Sequence, residues 1–298
     1  RDDDPRRGLM VGGRGVRQSK RSAAIQGEFF LCIDIDSQGK EASVHLASVL
    51  DRNWLDPNLR REVDEPFFHD SASAVVARRR SYFQDLLISE TPIECQPNEE
   101  TSRILAEHAR QNLENCFPRS KTTNQFIQRV SFLSHHMPEL EIPALDSEAI
   151  DDTLAELCMT RTSFAELTKA PWLDHLRGRY QYEQMRLIDL HAPVSIIVPS
   201  GNEHSITYEQ GKPPRMEVRI QELFGWKQTP QVASRIPIQL HLLGPNRRPQ
   251  QITDDLANFW SETYLHVRKE LRRRYPKHHW PEDPLNAVPT RNGLKPRN

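Results

Sequence analysis

The first third of the chain alternates short apolar runs with polar turns. Two such runs, at residues 28–36 and 42–46, flank Ser37-Gln38-Gly39-Lys40, a turn whose residues are typical of a β-hairpin. Further short apolar runs follow as far as residue 88. About five short strands in this segment predict a small OB-like β-barrel over residues 1–95.

Beyond residue 96 the apolar residues recur with the spacing of an amphipathic helix. They fall at intervals of three and four, and prolines such as Pro138 and Pro171 separate one helical stretch from the next. Ser163 followed by Glu166 has the pattern of a capping box at a helix start. This region is therefore predicted to be a helical connector over residues 96–190.

The last part of the chain mixes both patterns. Residues 195–198 and 216–220 have the pattern of strands, and a helix is expected over about residues 253–275, with Thr253 as its N-cap. We predict an α+β domain over residues 191–298. The fold class of the whole chain is then multidomain α+β, with an OB-like β-barrel, a helical connector and an α+β C-terminal domain.

Composition narrows the setting of the protein without deciding its function. The chain has 298 residues, of which 37% are hydrophobic and 27% charged, and this favours several small cores over one large core. Its apolar runs fall short of the roughly 18 residues that a membrane span needs, so a soluble cytoplasmic protein is expected. The four cysteines are far apart and form no CxxC pair, which argues against structural zinc.

The net charge of −1 hides a basic cluster near the C-terminus. The predicted helix turns Leu256, Val267 and Leu271 toward a core, so its basic side chains face solvent. Such a cluster can contact nucleic-acid phosphates, or it can be a solvated helix face. Two aromatic residues beside it are expected to be exposed and are candidates for stacking on bases. The candidate residues are Arg268, Lys269, Arg272, Arg273, Lys277, Tyr275 and Trp280.

A second basic group lies in the predicted barrel. Small barrels of this type bind single strands across one face with basic and aromatic side chains. Consecutive residues of a strand alternate between faces, so Arg78 and Arg80 can share a face that Arg79 does not. We expect a single-strand site here if Arg14 and Arg17 lie on the same side of the barrel as Arg78 and Arg80.

The sequence lacks the motifs that would mark an enzyme active site. Gly12-Gly13-Arg14-Gly15 is not followed by Lys and then Ser or Thr, so it is not a phosphate-binding loop, and no Asp-Glu-x-His motif for magnesium occurs. Ser200 has no GxSxG context, and the histidine pairs at 135–136 and 278–279 have no metal-ligand spacing. We predict no catalytic residue, metal site or cofactor, and no ATPase activity for this chain alone.

Several ordered motifs nevertheless have the pattern of a known family. They cover nearly the whole chain and are most distinctive near its end, where Arg274-Tyr275-Pro276-Lys277-His278 follows the basic helix. Other motifs lie at residues 10–16, 198–201, 218–225 and 251–256. Together they resemble the C-terminal part of the bacterial HrpB family of DEAH-box RNA-helicase-like proteins. Gly244 departs from this family's usual Ser, and Arg273 stands where Gly is common.

The resemblance implies an ATP-dependent helicase. In such proteins two RecA-like motor domains, a winged helix and a helical bundle precede an OB-type domain and the C-terminal domains, and the motor uses ATP and Mg. The present residues are then expected to be an accessory region that binds single-stranded nucleic acid, RNA in the first place, and supports motor domains upstream in the same polypeptide. The alternative is a protein-docking scaffold without nucleic-acid contact, which the salt dependence of binding would distinguish.

Overall fold

The computed structural model describes residues 4–295, which form two compact units. One unit comprises residues 4–116 and 158–167, and the other comprises residues 117–157 and 168–295. The helices predicted as a connector are divided between the two units. The three-domain division at residues 95 and 190 stays a prediction.

The first unit contains two separate β-sheets. Its strands are β1 (Arg7–Leu9), β2 (Gly15–Gln18), β3 (Phe29–Asp36), β4 (Ala42–Leu50), β5 (Arg60–His69), β6 (Ala74–Phe83) and β7 (Leu86–Ile93). The N-terminal sheet has the order β1-β2-β4-β3, in which β2 and β4 are parallel and the other neighbours are antiparallel. The other sheet is an antiparallel meander, β5-β6-β7.

The predicted OB-like barrel is not confirmed. Within the described part of the chain no hydrogen-bonded ladder joins the two sheets, so they do not close into a barrel. The chain between β4 and β5 forms two short 3-10 turns, which Asp51 and Asp56 cap through their side chains. The predicted hairpin is confirmed, because β3 and β4 pair antiparallel across the turn at residues 37–40.

The middle of the chain is helical, as its spacing predicts. Local side-chain bonds start these helices: Asn98 and Thr101 form a capping box, and Ser163 and Glu166 exchange the two hydrogen bonds expected of them, at 3.3 and 3.2 Å. The helices are α1 (Glu99–Gln111), α2 (Leu113–Cys116), α3 (Lys121–His136), α4 (Ser147–Cys158), α5 (Phe164–Leu167), α6 (Trp172–Gly178) and α7 (Tyr182–His191).

The second unit is built on a five-stranded sheet. Its strands, with a separate two-stranded ribbon of β11 and β12, are β8 (Ser195–Ile197), β9 (Glu203–Thr207), β10 (Arg215–Arg219), β11 (Gln231–Val232), β12 (Ile236–Pro237), β13 (Gln239–Leu243) and β14 (Pro249–Thr253). The order is β14-β13-β10-β9-β8, in which β10 and β13 are parallel. Helices precede the strands of this unit and a long helix follows them, so strands and helices are largely segregated along the chain, in agreement with the α+β prediction for the C-terminal region.

The predicted long helix is present but starts slightly later than expected. It runs through α8 (Leu256–Asn258), a π-helical turn (Phe259–Thr263) and α9 (Tyr264–Arg274). Asp255 is the N-cap, since its carboxylate accepts a hydrogen bond from the Asn258 amide at 3.0 Å, whereas the Thr253 hydroxyl bonds to the Asp255 backbone.

A buried arginine joins two helices of the second unit. Arg129 of α3 is 2% exposed and donates hydrogen bonds to the carbonyl oxygens of Ile188 and Ala192, at the end of α7. The last carbonyls of a helix have no partner within the helix, so Arg129 satisfies groups that would otherwise be buried without one. Its guanidinium also pairs with the Asp189 carboxylate at 2.5 Å.

No helix among residues 4–295 is long and apolar enough to cross a membrane.

Cys116 and Cys158 are buried free thiols of the first unit, and burial raises the pKa of Cys116 to about 11 and that of Cys158 to about 12. Thiols with raised pKa values are poor nucleophiles, so these two side chains act as core residues.

Candidate nucleic-acid interface

Exposed basic side chains of α9 line a shallow cavity of about 530 Å³ on the second unit. Lys269, Arg272 and Arg273 are exposed because the helix turns Tyr264 and Leu271 into the core on its other side. No carboxylate pairs with any of these three side chains within residues 4–295. The cavity therefore presents unneutralised positive charge, which attracts anionic ligands.

Arg268 does not belong to this exposed group, although it lies on the same helix. Its Nε donates to the carbonyl oxygen of Trp280 at 3.0 Å, and its Nη2 is 3.0 Å from the Glu282 carboxylate. The side chain is only 15% exposed. Arg268 also lines the cavity, but its guanidinium holds the chain that follows the helix, so its role in phosphate contact stays a prediction.

The two aromatic candidates are not exposed as the sequence suggested. Trp280 is buried, and its indole Nε1 donates to the carbonyl oxygen of Tyr275 at 3.0 Å. Tyr275 is half-buried and packs edge-on against the ring of His278. The prediction that Trp280 is exposed is wrong, because residues 275–281 fold back on α9. Tyr264 fixes this return by donating its hydroxyl proton to the carbonyl oxygen of Pro281 at 2.9 Å.

Lys277 lies directly after the helix and is exposed. It has no ion-pair partner among the described residues, so its ammonium group adds to the positive charge at this end of the molecule. The structure thus retains four of the seven predicted residues of this cluster as exposed cations: Lys269, Arg272, Arg273 and Lys277.

The arginines of β6 are neutralised by neighbouring carboxylates. Arg78 and Arg80 do share one face of the strand, as alternation predicts, and both bind Glu90 of β7 at 2.6 Å. These hydrogen bonds, Arg80 first, lower the pKa of the Glu90 carboxyl below its usual range. Arg80 also pairs with Glu65, and the Arg78 guanidinium lies over the ring of Phe67.

Arg17 lies on β2, in the other sheet of the first unit, and Arg14 directly precedes that strand. Arg17 forms ion pairs with Asp4 and Glu41, and Arg14 donates to the carbonyl oxygens of Ser37 and Gly39. The two pairs of arginines therefore lie at two different sheets and do not share the face of one barrel. Their charges are already compensated or committed to backbone groups, so this predicted single-strand site is not brought together.

A buried carboxylate marks a polar site that the sequence analysis missed. Glu222 is 2% exposed, and its Oε2 accepts hydrogen bonds from Asn202 Nδ2 at 2.7 Å and His204 Nε2 at 2.8 Å. The Ser200 hydroxyl donates to the same oxygen at 3.3 Å. Burial raises the pKa of Glu222, but the hydrogen bonds of His204 and Asn202 outweigh it and hold that pKa below the usual range.

The signal for this site was present but weak. Gln221 and Glu222 stand between the apolar residues Ile220 and Leu223, and a carboxylate in such a position needs a partner when it is buried. Its partners come from the turn around Gly201, about twenty residues earlier, which pattern analysis does not connect to it. Within residues 4–295 no group of three or more His, Cys, Asp or Glu side chains is arranged to hold a metal ion.

Comparison with known proteins identifies relatives of this chain. The family described as ATP-dependent helicase C-terminal, HrpB_C, matches residues 153–284. The ATP-dependent RNA helicase HrpB of Escherichia coli strain K12 is 31% identical over 267 residues, which are 87% of this chain and 33% of that protein.

Solved structures give the same result. The crystal structure of the E. coli DExH-box NTPase HrpB matches with a TM-score of 0.64 and 29% identity, covering 98% of this chain and 37% of the other. That of the E. coli DEAH/RHA helicase HrpB matches with a TM-score of 0.55 and 25% identity, covering 92% of this chain and 35% of the other.

The matches first define a class, the C-terminal regions of ATP-dependent helicases. Within that class, the chain belongs to the HrpB family and corresponds to its C-terminal part. It spans about a third of the length of the relatives it matches. The family match at residues 153–284 includes both α9 and the site around Glu222.

Proposed function

We propose that this chain is the accessory C-terminal region of an ATP-dependent helicase, and that it holds single-stranded nucleic acid on the basic face of α9. The observation that carries the proposal is the exposed cavity lined by Lys269, Arg272 and Arg273, whose charges have no carboxylate partner in the described chain. Like charges one turn apart on a helix repel each other, and an anionic backbone relieves that repulsion.

Charge compensation is what distinguishes α9 from the other basic groups. Arg78 and Arg80 also place two positive charges close together, on one face of β6. Glu65 and Glu90 already form ion pairs with them. A phosphate would have to displace those carboxylates, whereas on α9 it would displace only water and counterions. The favoured ligand is RNA, since the E. coli relative is named as an RNA helicase.

The proposed role is to support the motor domains that members of this family carry upstream in the same polypeptide. ATP and Mg would bind to those domains and supply the energy for unwinding, while the residues of α9 would retain the strand. The hydrolase activity therefore belongs to the whole protein, and a cytoplasmic location stays a prediction from the sequence.

The proposal is tested by replacing two of the exposed cations. In Arg272→Ala/Arg273→Ala, the affinity for a fluorescein-labelled single-stranded RNA, measured by anisotropy, should fall about tenfold or more at low salt, because two phosphate contacts are lost. The matched control is Arg186→Ala/Lys212→Ala, which removes the same charge from side chains that are each 66% exposed on the same unit. The control should bind as the unaltered chain does.

Equal losses in the two variants would show that only overall charge matters and would contradict a site on α9. Unchanged affinity in the Arg272→Ala/Arg273→Ala variant would leave the basic face as a solvated helix surface. In that case the protein-docking alternative would become the better account of the chain.

A further inference from the structure

A second cavity, of about 450 Å³, opens at the ends of β9, β10 and β13. Its lining combines charges of both signs, from Glu217, Arg219 and Arg247, with the polar side chains of Asn202 and His204. Buried Glu222 forms one wall of this cavity. The cavity thus differs chemically from the cavity on α9, whose charged lining residues are all basic.

Glu222 fixes how two of the lining side chains present their polar atoms. His204 directs Nε2 at the Glu222 carboxylate, so in the neutral ring Nδ1 is a hydrogen-bond acceptor. Asn202 uses its Nδ2 for Glu222 and for the carbonyl oxygen of Arg291, which leaves Oδ1 as an acceptor. Neither acceptor has a protein partner among residues 4–295. The carboxylate is thereby a positioning group for the cavity.

The charge balance selects the kind of ligand that fits. Three carboxylates, of Glu203, Glu217 and Glu222, line the cavity against two guanidinium groups, and that of Arg219 lies 3.9 Å from Glu222, so a bare phosphate would meet repulsion as well as attraction. A neutral planar group with donors and acceptors along its edges meets no such penalty.

Among nucleobases, guanine has the edge pattern that matches best. A carboxylate can accept from its N1–H and N2–H groups, and a guanidinium can donate to its O6 and N7. Glu217 supplies the first type of group, and Arg219 and Arg247 supply the second. We infer that the cavity beside Glu222 binds a guanine base of a single strand, so that α9 holds the backbone while this cavity prefers one base. This inference rests on the proposed function and adds base preference to it.

Guanosine itself is the probe for the cavity, because it carries no phosphate and does not depend on α9. Saturation-transfer NMR with the full chain should show saturable binding of guanosine, and adenosine and cytidine should bind at least about fivefold more weakly. Glu217→Gln removes the carboxylate at an exposed strand position and should weaken guanosine binding about fivefold or more. Arg247→Gln should do the same.

Arg248→Gln is the matched control, since Arg248 is exposed and adjacent to Arg247 but does not line the cavity. It should leave guanosine binding unchanged. Equal binding of the three nucleosides, or a Glu217→Gln variant with unaltered guanosine binding, would overturn the inference. Loss of guanosine binding in the Arg248→Gln variant would also overturn it.

Oligonucleotides separate this inference from the proposed function. An oligo-U strand with one central G should bind about fivefold more tightly than oligo-U alone, and Glu217→Gln should abolish that ratio while leaving oligo-U binding intact. Arg272→Ala/Arg273→Ala should weaken both strands and preserve the ratio. If the chain binds guanosine but not oligo-U, only the proposed role of α9 is contradicted. If it binds oligo-U but does not prefer the strand with one G, only the guanine cavity is contradicted.

Discussion

Arg268 donates a hydrogen bond from Nε to the carbonyl oxygen of Trp280, 3.0 Å away, and so ties α9 to the chain that follows it. Four residues further along, Arg272 is exposed and has no ion-pair partner in the described chain. Two arginines one helical turn apart therefore have different tasks. One stabilises the fold, and the other is available to a ligand.

This difference predicts that replacing Arg268 lowers the stability of the fold, whereas replacing Arg272 does not. Arg268→Ala should lower the free energy of unfolding by about 1.5 kcal/mol, because a largely buried hydrogen bond from a charged group to a backbone carbonyl is lost. Glu282 is 85% exposed, so its ion pair adds little. Arg272→Ala should change the unfolding free energy by less than about 0.5 kcal/mol. Urea unfolding of both variants measures this, and equal destabilisation would contradict the assignment.

Arg129 should be among the most sensitive positions of the second unit. Arg129→Leu leaves the carbonyl oxygens of Ile188 and Ala192 without a donor and should cost about 3 kcal/mol. Asp189→Asn removes only the negative charge of a side chain that is 57% exposed, and should lower the free energy of unfolding by less than about 1 kcal/mol. Urea midpoints compare the two variants. A larger loss for Asp189→Asn would show that the ion pair, and not the capping of α7, is the main contribution.

Glu222 should contribute to the acid sensitivity of the fold. Its pKa is below the usual range in the folded chain, so its ionised form stabilises the protein above the pKa of the unfolded state. That stabilisation should disappear as the pH falls through the folded pKa, in the region below about pH 5. Glu222→Gln should be less stable than the unaltered chain at pH 7 and should show a flatter loss on acidification. Parallel curves from pH 7 to 3.5 would contradict this role.

The chain alone should not hydrolyse ATP. A phosphate loop with Lys and Ser or Thr is missing from the sequence, and so is an Asp-Glu-x-His motif for magnesium, so the groups that stabilise phosphoryl transfer are lacking. Phosphate release by the purified chain should equal the buffer background, with or without RNA. A turnover that a point substitution in these 298 residues abolishes would contradict the prediction.

Local structure was predictable from the sequence because it depends on neighbouring residues. The hairpin of β3 and β4, the capping box of Ser163 and Glu166 and the long C-terminal helix all follow from spacing within a few residues. The resemblance to the HrpB family came from ordered motifs. It is confirmed by the family match and by the relatives.

The errors concern contacts between distant segments. The barrel prediction was not confirmed because strand spacing does not specify that β2 pairs with β4 in parallel while β5 starts a new sheet. The prediction that Trp280 is exposed was wrong. Its burial depends on the chain folding back after α9, and Tyr264 and Arg268 hold that segment by donating to backbone carbonyl oxygens. Neither contact leaves a periodic trace in the sequence.

The salt dependence of RNA binding tests the central claim most directly. The logarithm of the association constant for single-stranded RNA should fall linearly with the logarithm of salt concentration. Each phosphate contact should add about 0.7 to the magnitude of that slope. Arg272→Ala/Arg273→Ala should reduce that slope by about 1.4, and the Arg186→Ala/Lys212→Ala control should leave it unchanged. An identical slope in the Arg272→Ala/Arg273→Ala variant and the unaltered chain would contradict the claim that α9 holds the strand.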